Sequence, residues 1–444
     1  MEILNNIISK FNIDLIKNNI YSASGLSFNI FFNNFNNNKI SIKYNKEVDY
    51  LIRPSYYGGR CETFGNIKDN EQIYHFDFSG MYAQCMLEKF PFGKNKIKFS
   101  ELDINKPGFY RIKYESKDMH IPILPHHDIN NHKLMFTNGV NEGTYWFEEI
   151  DLFIKNGGLI LNVYYGVEYE NYGTCFKDFV EYFSKLKAEG ENYKTFAKLI
   201  INSLYGRFGM GESNEYSTIV WEKELDWWFK NFEIISCNSI NKLNYIKVKI
   251  NKKLIKIINK SEFNTTLSNV AIASAISSKA RIKLIKAFND VKSNGGDLKY
   301  CDTDSLFVGF KKDILDEKHG EVYWDSKKKD TIIENSIFIA PKLYGVKFKN
   351  IEVETIKIKG ISNPQIRIED LKKSFYNNKT NIKFKQTQFS RKNFIIKTEE
   401  IEKNLNFNFF NKRIWNKSKN ETTPYTYING KYENTDYTYD RKTN

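Results

Sequence analysis

Hydrophobic and polar residues follow strand and helix periods in turn along the 444-residue chain. Apolar and aromatic residues over 73–78 are typical of a strand. A helical pattern follows from 80 to 90, and Pro91 and Gly93 are expected to end it. Further helical patterns cover residues 174–188, 191–208 and 265–292. The pattern therefore alternates between strand and helix, and we detect no internal repeat.

The remaining stretches have weaker patterns. Residues 1–50 are rich in asparagine and predict one or two helices, whereas residues 109–166 predict short strands separated by turns. Residues 214–262 have the composition of an inserted β-rich segment, and a hairpin is expected at 301–305. The sequence after residue 360 is basic and aromatic.

The chain is basic, with 67 Lys and Arg residues against 53 Asp and Glu residues and a net charge of +14. Such a surplus suits a polyanionic partner, because each Lys or Arg placed on a phosphate releases condensed counterions. An AT-rich genome also produces Lys- and Asn-rich proteins, so charge alone leaves the partner open. No apolar run approaches the roughly 18 residues that a membrane-spanning helix needs.

Three aspartates stand in strand-like surroundings. Asp302 and Asp304 are one residue apart between apolar runs, so they share a face if the segment is extended. Asp77 lies in an aromatic strand, where a buried carboxylate without a partner is costly. Carboxylates at strand ends suit Mg²⁺-assisted nucleotide transfer, which needs hard oxygen ligands. A second interpretation stays open, in which 302–305 is a polar turn and Asp77 caps a helix.

A basic stripe runs along the predicted helical region 187–205. At helical spacing, five polar side chains fall within about 80° of one another, and they are Lys187, Lys194, Lys198, Asn202 and Tyr205. Such a column could present ammonium groups to a triphosphate. The alternative is a solvated Lys face on an amphipathic helix. A glycine at position 190 is a possible break between Lys187 and the rest.

Taken together and in this order, five short segments resemble the motifs of family B DNA polymerases. Residues 77–82, 198–206 and 300–305 are similar to motifs A, B and C. Tyr56-Tyr57-Gly58-Gly59 resembles the Y-x-G-G motif of the protein-primed branch, and Lys342-Leu343-Tyr344 resembles its K-x-Y motif. The resemblance extends from about residue 20 to about residue 395.

The resemblance implies a two-metal nucleotidyl transfer site. Asp77, Asp302, Asp304 and Lys198 would be the catalytic residues. Asp77, Asp304 and the carbonyl of Phe78 would bind two Mg²⁺ ions.

The resemblance also implies roles in binding nucleotide and DNA. The deoxynucleoside triphosphate would be bound by Tyr82, Lys187, Lys194, Lys198, Asn202 and Tyr205. Among these, Tyr82 would exclude ribonucleotides and the lysines would contact the triphosphate. The primer–template would be bound by Tyr56, Gly58, Gly59, Lys342, Tyr344 and Lys357.

The fold implied is α+β, a right-hand polymerase fold with a palm of antiparallel sheet plus helices, helical fingers, a thumb and two insertions. The expected division is a lead-in with the Y-x-G-G loop (1–76), a first palm segment (77–126), a first insertion resembling the terminal-protein region (127–175), fingers (176–208), a second insertion (209–262), a second palm segment (263–360), and thumb with basic tail (361–444).

The chain departs from the family in two places. Gly80 and Ala83 stand where motif A usually has Ser and Pro. Only about 55 residues precede the Y-x-G-G motif, without the acidic motifs of a 3′–5′ exonuclease, so we expect no proofreading in this chain.

The expected function is therefore DNA synthesis on a primer, with a terminal priming protein as a further partner. We expect a mitochondrial location with the gene on a linear plasmid, and the alternative is a phage or virus. The competing hypotheses are a catalytically inactive DNA-binding remnant and another polymerase class. Thr303 between the two aspartates and Tyr82 argue against a reverse transcriptase and an RNA polymerase.

Overall fold

The computed structural model describes most of the chain, namely residues 2–15, 20, 22–37, 40–41, 45–129, 131–211, 215–240, 242–249, 254, 268–311, 332–349, 351–361, 364, 366–377, 381–390, 395–404, 412–428 and 430–433. The predicted β-rich insertion therefore lies outside the described residues beyond Lys249, apart from Leu254. Within the described ranges, no helix combines the length and the apolar character needed to cross a bilayer.

The helices are distributed along the whole chain. They are α1 (Glu2–Lys10), α2 (Ala23–Asn34), α3 (Lys46–Ile52), α4 (Met81–Met86), α5 (Phe147–Lys155), α6 (Lys177–Leu186), α7 (Glu191–Phe208), α8 (Leu225–Asn231), α9 (Val270–Ser293) and α10 (Ile368–Asn377). The predicted break before α7 is confirmed, since Gly190 has a φ of 145° that a side chain would strain.

A seven-stranded antiparallel sheet forms the centre of the molecule, in the order β1-β12-β13-β2-β14-β15-β16. Its strands are β1 (Cys61–Thr63), β2 (Glu71–Asp77), β12 (Asp297–Asp302), β13 (Ser305–Lys311), β14 (Ile332–Ala340), β15 (Leu343–Phe348) and β16 (Thr355–Ile358). The hairpin expected at 301–305 is therefore confirmed as the β12–β13 connection.

A second, six-stranded sheet has the order β22-β21-β7-β4-β8-β3, and all its pairs are antiparallel except β21 with β7. Its strands are β3 (Lys89–Phe99), β4 (Gly108–Ser116), β7 (Asn138–Trp146), β8 (Leu159–Thr174), β21 (Thr426–Ile428) and β22 (Lys431–Glu433). The end of the described chain therefore pairs with a strand nearly 300 residues earlier.

The smaller sheets lie in connecting segments. A three-stranded sheet comprises β9 (Glu215–Trp221), β10 (Ile234–Ile240) and β11 (Leu243–Lys249), and the two-stranded ones comprise β5 (His126–His127) with β6 (Leu134–Met135), β17 (Asn381–Ser390) with β18 (Ile395–Asn404), and β19 (Arg413–Asn416) with β20 (Glu421–Pro424). The mixture of helices and antiparallel sheets confirms the predicted α+β class.

Three sequence-based assignments of local structure were wrong. The helix predicted over 80–90 ends at Met86, and β3 follows it. Pro91 fits into this strand because β3 is the edge of its sheet, where a missing N–H is tolerated. The segment 109–166 contains a helix, α5, that its strand-like pattern did not indicate. The first 52 residues form three helices rather than one or two.

Helix α9 is the core of the molecule, because it is buried along most of its length. It contacts α4, α5, α7 and β12. Small side chains such as Ala273, Ala280 and Ala287 allow these elements to approach closely. The helix thus connects the elements that carry the candidate functional residues.

Candidate functional site

Three aspartates meet at one end of three adjacent strands. Asp77 is the last residue of β2, Asp302 is the last residue of β12, and Asp304 lies in the turn before β13. Ser305 on β13 pairs with both Asp77 and Asp302. The Phe78 N–H donates a hydrogen bond to the carbonyl oxygen of Asp304, at 2.7 Å. The sheet therefore brings two segments that are distant in sequence into direct contact.

The turn that carries Asp304 has an unusual backbone. Thr303 has a φ of +59°, a left-handed conformation that costs a residue with a β-branched side chain. Its N–H donates to the carbonyl of Arg60 at 2.8 Å, and the Asp304 N–H donates to the Asp302 carbonyl at 2.7 Å. A Cβ on Gly59 would lie 2.6 Å from the Thr303 hydroxyl oxygen. The Y-x-G-G loop therefore lies against this turn, and only glycine fits at position 59.

The charges around Asp304 are those of a cation site. Burial raises the pKa of the Asp304 carboxyl above its ordinary value, and the negative charges of Asp77 and Asp302 raise that pKa further. The ammonium of Lys198 on α7 acts in the opposite direction. Carboxylates that repel one another in this way favour a bound cation between them.

The predicted metal ligands are all oxygen donors. The carboxylates of Asp77 and Asp304 and the carbonyl of Phe78 are hard donors of the kind Mg²⁺ prefers. In the described part of the chain, however, no group of three or more His, Cys, Asp or Glu side chains is arranged to hold a metal ion. The chemistry of the donor atoms thus fits Mg²⁺, whereas the described side chains form no three-ligand site, and Asp302 has another partner.

That partner is Lys342, whose ammonium nitrogen lies 2.8 Å and 3.1 Å from the two Asp302 carboxylate oxygens. The Lys342 N–H donates to the Tyr300 hydroxyl oxygen at 2.9 Å. Tyr344 packs on Tyr300 with 4.8 Å between ring centroids, and Lys357 is opposite Tyr344 in the β15–β16 pair. The K-x-Y segment is thus placed beside the carboxylates.

Two tyrosines form a stack between α4 and α7. The rings of Tyr82 and Tyr205 lie 4.2 Å apart, at an interplanar angle of 16°. Burial raises the pKa of the Tyr82 phenol, and the Tyr205 hydroxyl and the Asp304 carboxylate add to the increase. Tyr56 packs against Gly209 just beyond α7, and its pKa is also raised, first by burial and then by Tyr205. The stack therefore lies beside the carboxylates.

The predicted lysine column is only partly gathered at the site. The charge of Lys198 opposes the rise in the pKa of Asp304. Asn202 follows one turn later on α7, and its side chain is exposed. Lys194 is 3.0 Å from Glu191 on its own helix. Lys187 lies on a separate 3₁₀ turn before the break at Gly190. Triphosphate binding by Lys187 and Lys194 therefore stays a prediction.

Among the buried charged residues that sequence reasoning missed, Arg281 on α9 lies behind the site. Its side chain is 2% exposed and forms an ion pair with Glu149 on α5. An arginine among small and apolar residues in the middle of a long helix was the available signal. Its partners could not be identified from the sequence, because they lie more than 130 residues away.

Comparison with known proteins agrees with this geometry. Residues 1–294 match the family described as DNA polymerase type B, organellar and viral. A probable DNA polymerase of Podospora anserina is 26% identical over 419 residues, covering 85% of this chain and 33% of that protein. A DNA-directed DNA polymerase of Enterobacteria phage PRD1 is 25% identical, covering 63% of this chain and 48% of the phage protein.

One solved structure with the same fold is the phi29 DNA polymerase complexed with primer–template DNA. Its TM-score is 0.58 at 17% identity, over 89% of this chain and 69% of the phi29 chain. The expectation of a right-hand polymerase fold is thereby confirmed. The present chain spans between about a third and a half of the length of the relatives from Podospora and phage PRD1. The chain belongs to the type B DNA polymerase family of organelles and viruses.

Proposed function

We propose that this protein catalyses template-directed DNA synthesis, transferring deoxynucleotides to a primer 3′-hydroxyl with two Mg²⁺ ions. Asp77 on β2 pairs with Ser305, the residue after Asp304. The observation that carries the proposal is the resulting proximity of Asp77, Asp304 and Lys198, with Asp77 and Lys198 both acting electrostatically on Asp304. Each of these residues belongs to a different polymerase motif. Such convergence suits a single reaction centre.

The proposed roles in metal and phosphate binding fall to different residues of the site. Asp77, Asp304 and the Phe78 carbonyl would bind the two Mg²⁺ ions, which supply activation of the hydroxyl and neutralisation of phosphate charge when bound. Lys198 would stabilise the negative charge that develops on the leaving pyrophosphate. Lys187 and Lys194 would bind the triphosphate, Lys194 once it has left Glu191.

Tyr82 and Tyr205 would form the floor under the sugar and base of the nucleotide. Their stacked rings leave little freedom at Tyr82, so its ring would exclude a 2′-hydroxyl. Asn202 would lie beside the nascent base pair.

Lys342, Tyr344 and Lys357 would contact the primer backbone. Tyr56, Gly58 and Gly59 would contact the template backbone. The template can approach the loop closely at the two glycines, because they have no side chain. The phi29 complex with primer–template DNA and incoming nucleotide substrates supports these partners. We also propose a terminal priming protein as a partner that contacts segment 127–175, and we propose that segment 209–262 encircles DNA.

The proposed setting is a linear plasmid in a mitochondrion, and a phage or virus is the alternative. The fungal and phage sources of the relatives are consistent with either.

A second candidate is a DNA-binding remnant without catalysis. The ion pair of Asp302 with Lys342 favours it, because one of the three motif carboxylates is already neutralised.

Primer extension by the purified protein with Mg²⁺ and four dNTPs distinguishes the two candidates. We expect extension by the wild type and by Glu334→Gln, an exposed carboxylate on the same sheet, but none by Asp304→Ala. If none of the three proteins extends while all bind primer–template, the protein is a remnant. Equal extension by all three would contradict the assigned site.

A further inference from the structure

Arg281 is a charged residue buried in the middle of the core helix α9. Its Nε and Nη2 atoms donate to the two carboxylate oxygens of Glu149 on α5, at 2.6 Å and 2.7 Å. The Ser278 hydroxyl donates to the same carboxylate at 2.6 Å. Both partners of the ion pair are at most 2% exposed. A buried guanidinium is costly unless its donors are paired in good geometry, and this fork-on-fork arrangement fixes its orientation.

The third nitrogen of the guanidinium points at the Y-x-G-G loop. Nη1 donates to the carbonyl of Tyr57 at 2.9 Å and to that of Gly58 at 3.2 Å. Because the guanidinium is planar and Glu149 binds Nε and Nη2, the orientation of Nη1 is fixed. Arg281 therefore ties the backbone of the loop to two helices behind it.

The loop in turn supports the turn that carries Asp304. Gly59 lies so close to Thr303 that a Cβ would be 2.6 Å from its hydroxyl oxygen, and the next carbonyl, that of Arg60, accepts the Thr303 N–H at 2.8 Å. The left-handed conformation of Thr303 needs such support. A continuous series of contacts thus runs from Glu149 through Arg281 and the loop to the carboxylate turn.

We infer that Arg281 is a positioning residue for nucleotide transfer, acting with Glu149 to hold the Y-x-G-G loop against the Asp302–Asp304 turn. Its consequence for catalysis rests on the proposed function. The contact between the loop and the turn can be measured without any substrate.

The chain offers a matched control one position away on α5. Glu148 binds Lys279 at 2.5 Å, and Lys279 is 2% exposed. The remaining polar contacts of Lys279 are with Glu88 and Tyr172 instead of the loop. Glu148→Gln therefore removes a half-buried ion pair between the same two helices and leaves Arg281 in place.

Hydrogen exchange of the Thr303 amide tests the coupling directly. In Arg281→Lys, the ammonium keeps the charge but cannot bind Glu149 in the bidentate manner and reach both carbonyls. We expect Thr303 protection to fall by at least about tenfold in Arg281→Lys and in Glu149→Gln, and by less than about twofold in Glu148→Gln. Unchanged protection in Arg281→Lys with an intact circular dichroism spectrum, or an equal loss in Glu148→Gln, would overturn the inference.

Pre-steady-state burst incorporation tests the consequence for the reaction. With saturating DNA and dNTP, Arg281→Lys should keep its burst amplitude, because the molecules still fold. Its burst rate should fall by at least about tenfold, because the loop no longer holds Asp304 in place. A purely structural role would lower the amplitude and leave the rate constant unchanged, which would overturn the inference. If the wild type and Glu148→Gln both fail to extend primers, the proposed function fails, and the exchange comparison alone then decides whether Arg281 holds the loop.

Discussion

The ammonium of Lys342 binds both carboxylate oxygens of Asp302, at 2.8 Å and 3.1 Å. Asp304, one residue beyond Thr303, is in a different environment, since burial and the charge of Asp77 raise its pKa. The three motif aspartates are therefore not equivalent. Asp302 forms an ion pair with a lysine, and its charge raises the pKa of Asp304 less than the charge of Asp77 does.

Lys342 is expected to contribute to DNA binding more than to folding. Its ion pair is half exposed, so Lys342→Ala should cost less than about 1 kcal/mol of unfolding free energy. Loss of one phosphate contact should make the slope of log Kd for primer–template against log salt shallower by about 1. The control is Lys347→Ala on β15, the strand that Lys342 directly precedes, where Lys347 pairs with Glu334. Identical salt slopes for the two variants would contradict a primer contact at Lys342.

Asp304 should destabilise the folded protein at neutral pH. Its folded pKa is raised above 3.8, so the folded state binds the proton more tightly and stability falls as pH rises from about 3.8 through the folded pKa. Asp304→Asn should therefore raise the unfolding midpoint at pH 7 by roughly 1–3 °C. The gain should shrink below pH 4. Thermal unfolding at both pH values tests this, and a lower midpoint at pH 7 would show that Asp304 is stabilised by partners.

Tyr82 is expected to set the preference for deoxyribonucleotides. Tyr82→Val removes the ring stacked on Tyr205 and should raise ribonucleotide incorporation relative to deoxyribonucleotide incorporation by roughly 10–200-fold. Tyr82→Phe keeps the ring and should keep the discrimination. The ratio of kcat/KM for the two nucleotides measures this. Unaltered discrimination in Tyr82→Val would place the steric exclusion elsewhere.

Arg413 attaches the end of the described chain to the central sheet. Its fully buried guanidinium donates to Thr422 at 2.8 Å and to the His120 carbonyl at 3.0 Å, and lies 4.0 Å from Glu62. Arg413→Met should cost about 3–5 kcal/mol, because it leaves Glu62 with less compensating charge in the interior. Lys155→Met, which breaks an exposed pair, should cost less than about 1 kcal/mol. Urea unfolding compares them, and equal losses would contradict a structural role for Arg413.

The features of the site that sequence could predict were carried by short contiguous motifs. The hairpin at Asp302–Asp304 and the break at Gly190 follow from local turn chemistry, and both are present. The proximity of Asp77 to Asp304 came from resemblance, because strand pairing between distant segments has no local signature.

Other features depend on tertiary contacts that no local pattern encodes. The strand at 89–99 forms despite Pro91 because it lies at a sheet edge. The parallel pairing of β21 with β7 joins residues far apart in the chain. The partners of Arg281 on α5 and in the Y-x-G-G loop could be identified only from the fold.

The central claim is that Asp77 and Asp304 form one reaction centre, and a double-mutant cycle tests it most directly. Single-turnover primer extension would be measured for the wild type, Asp77→Asn, Asp304→Asn and the double variant. We predict that each single change lowers the rate by at least about 1,000-fold and that the double variant is no slower, since residues acting as a unit are not additive. Rate losses that multiply in the double variant, or a single variant that retains wild-type extension, would contradict the account.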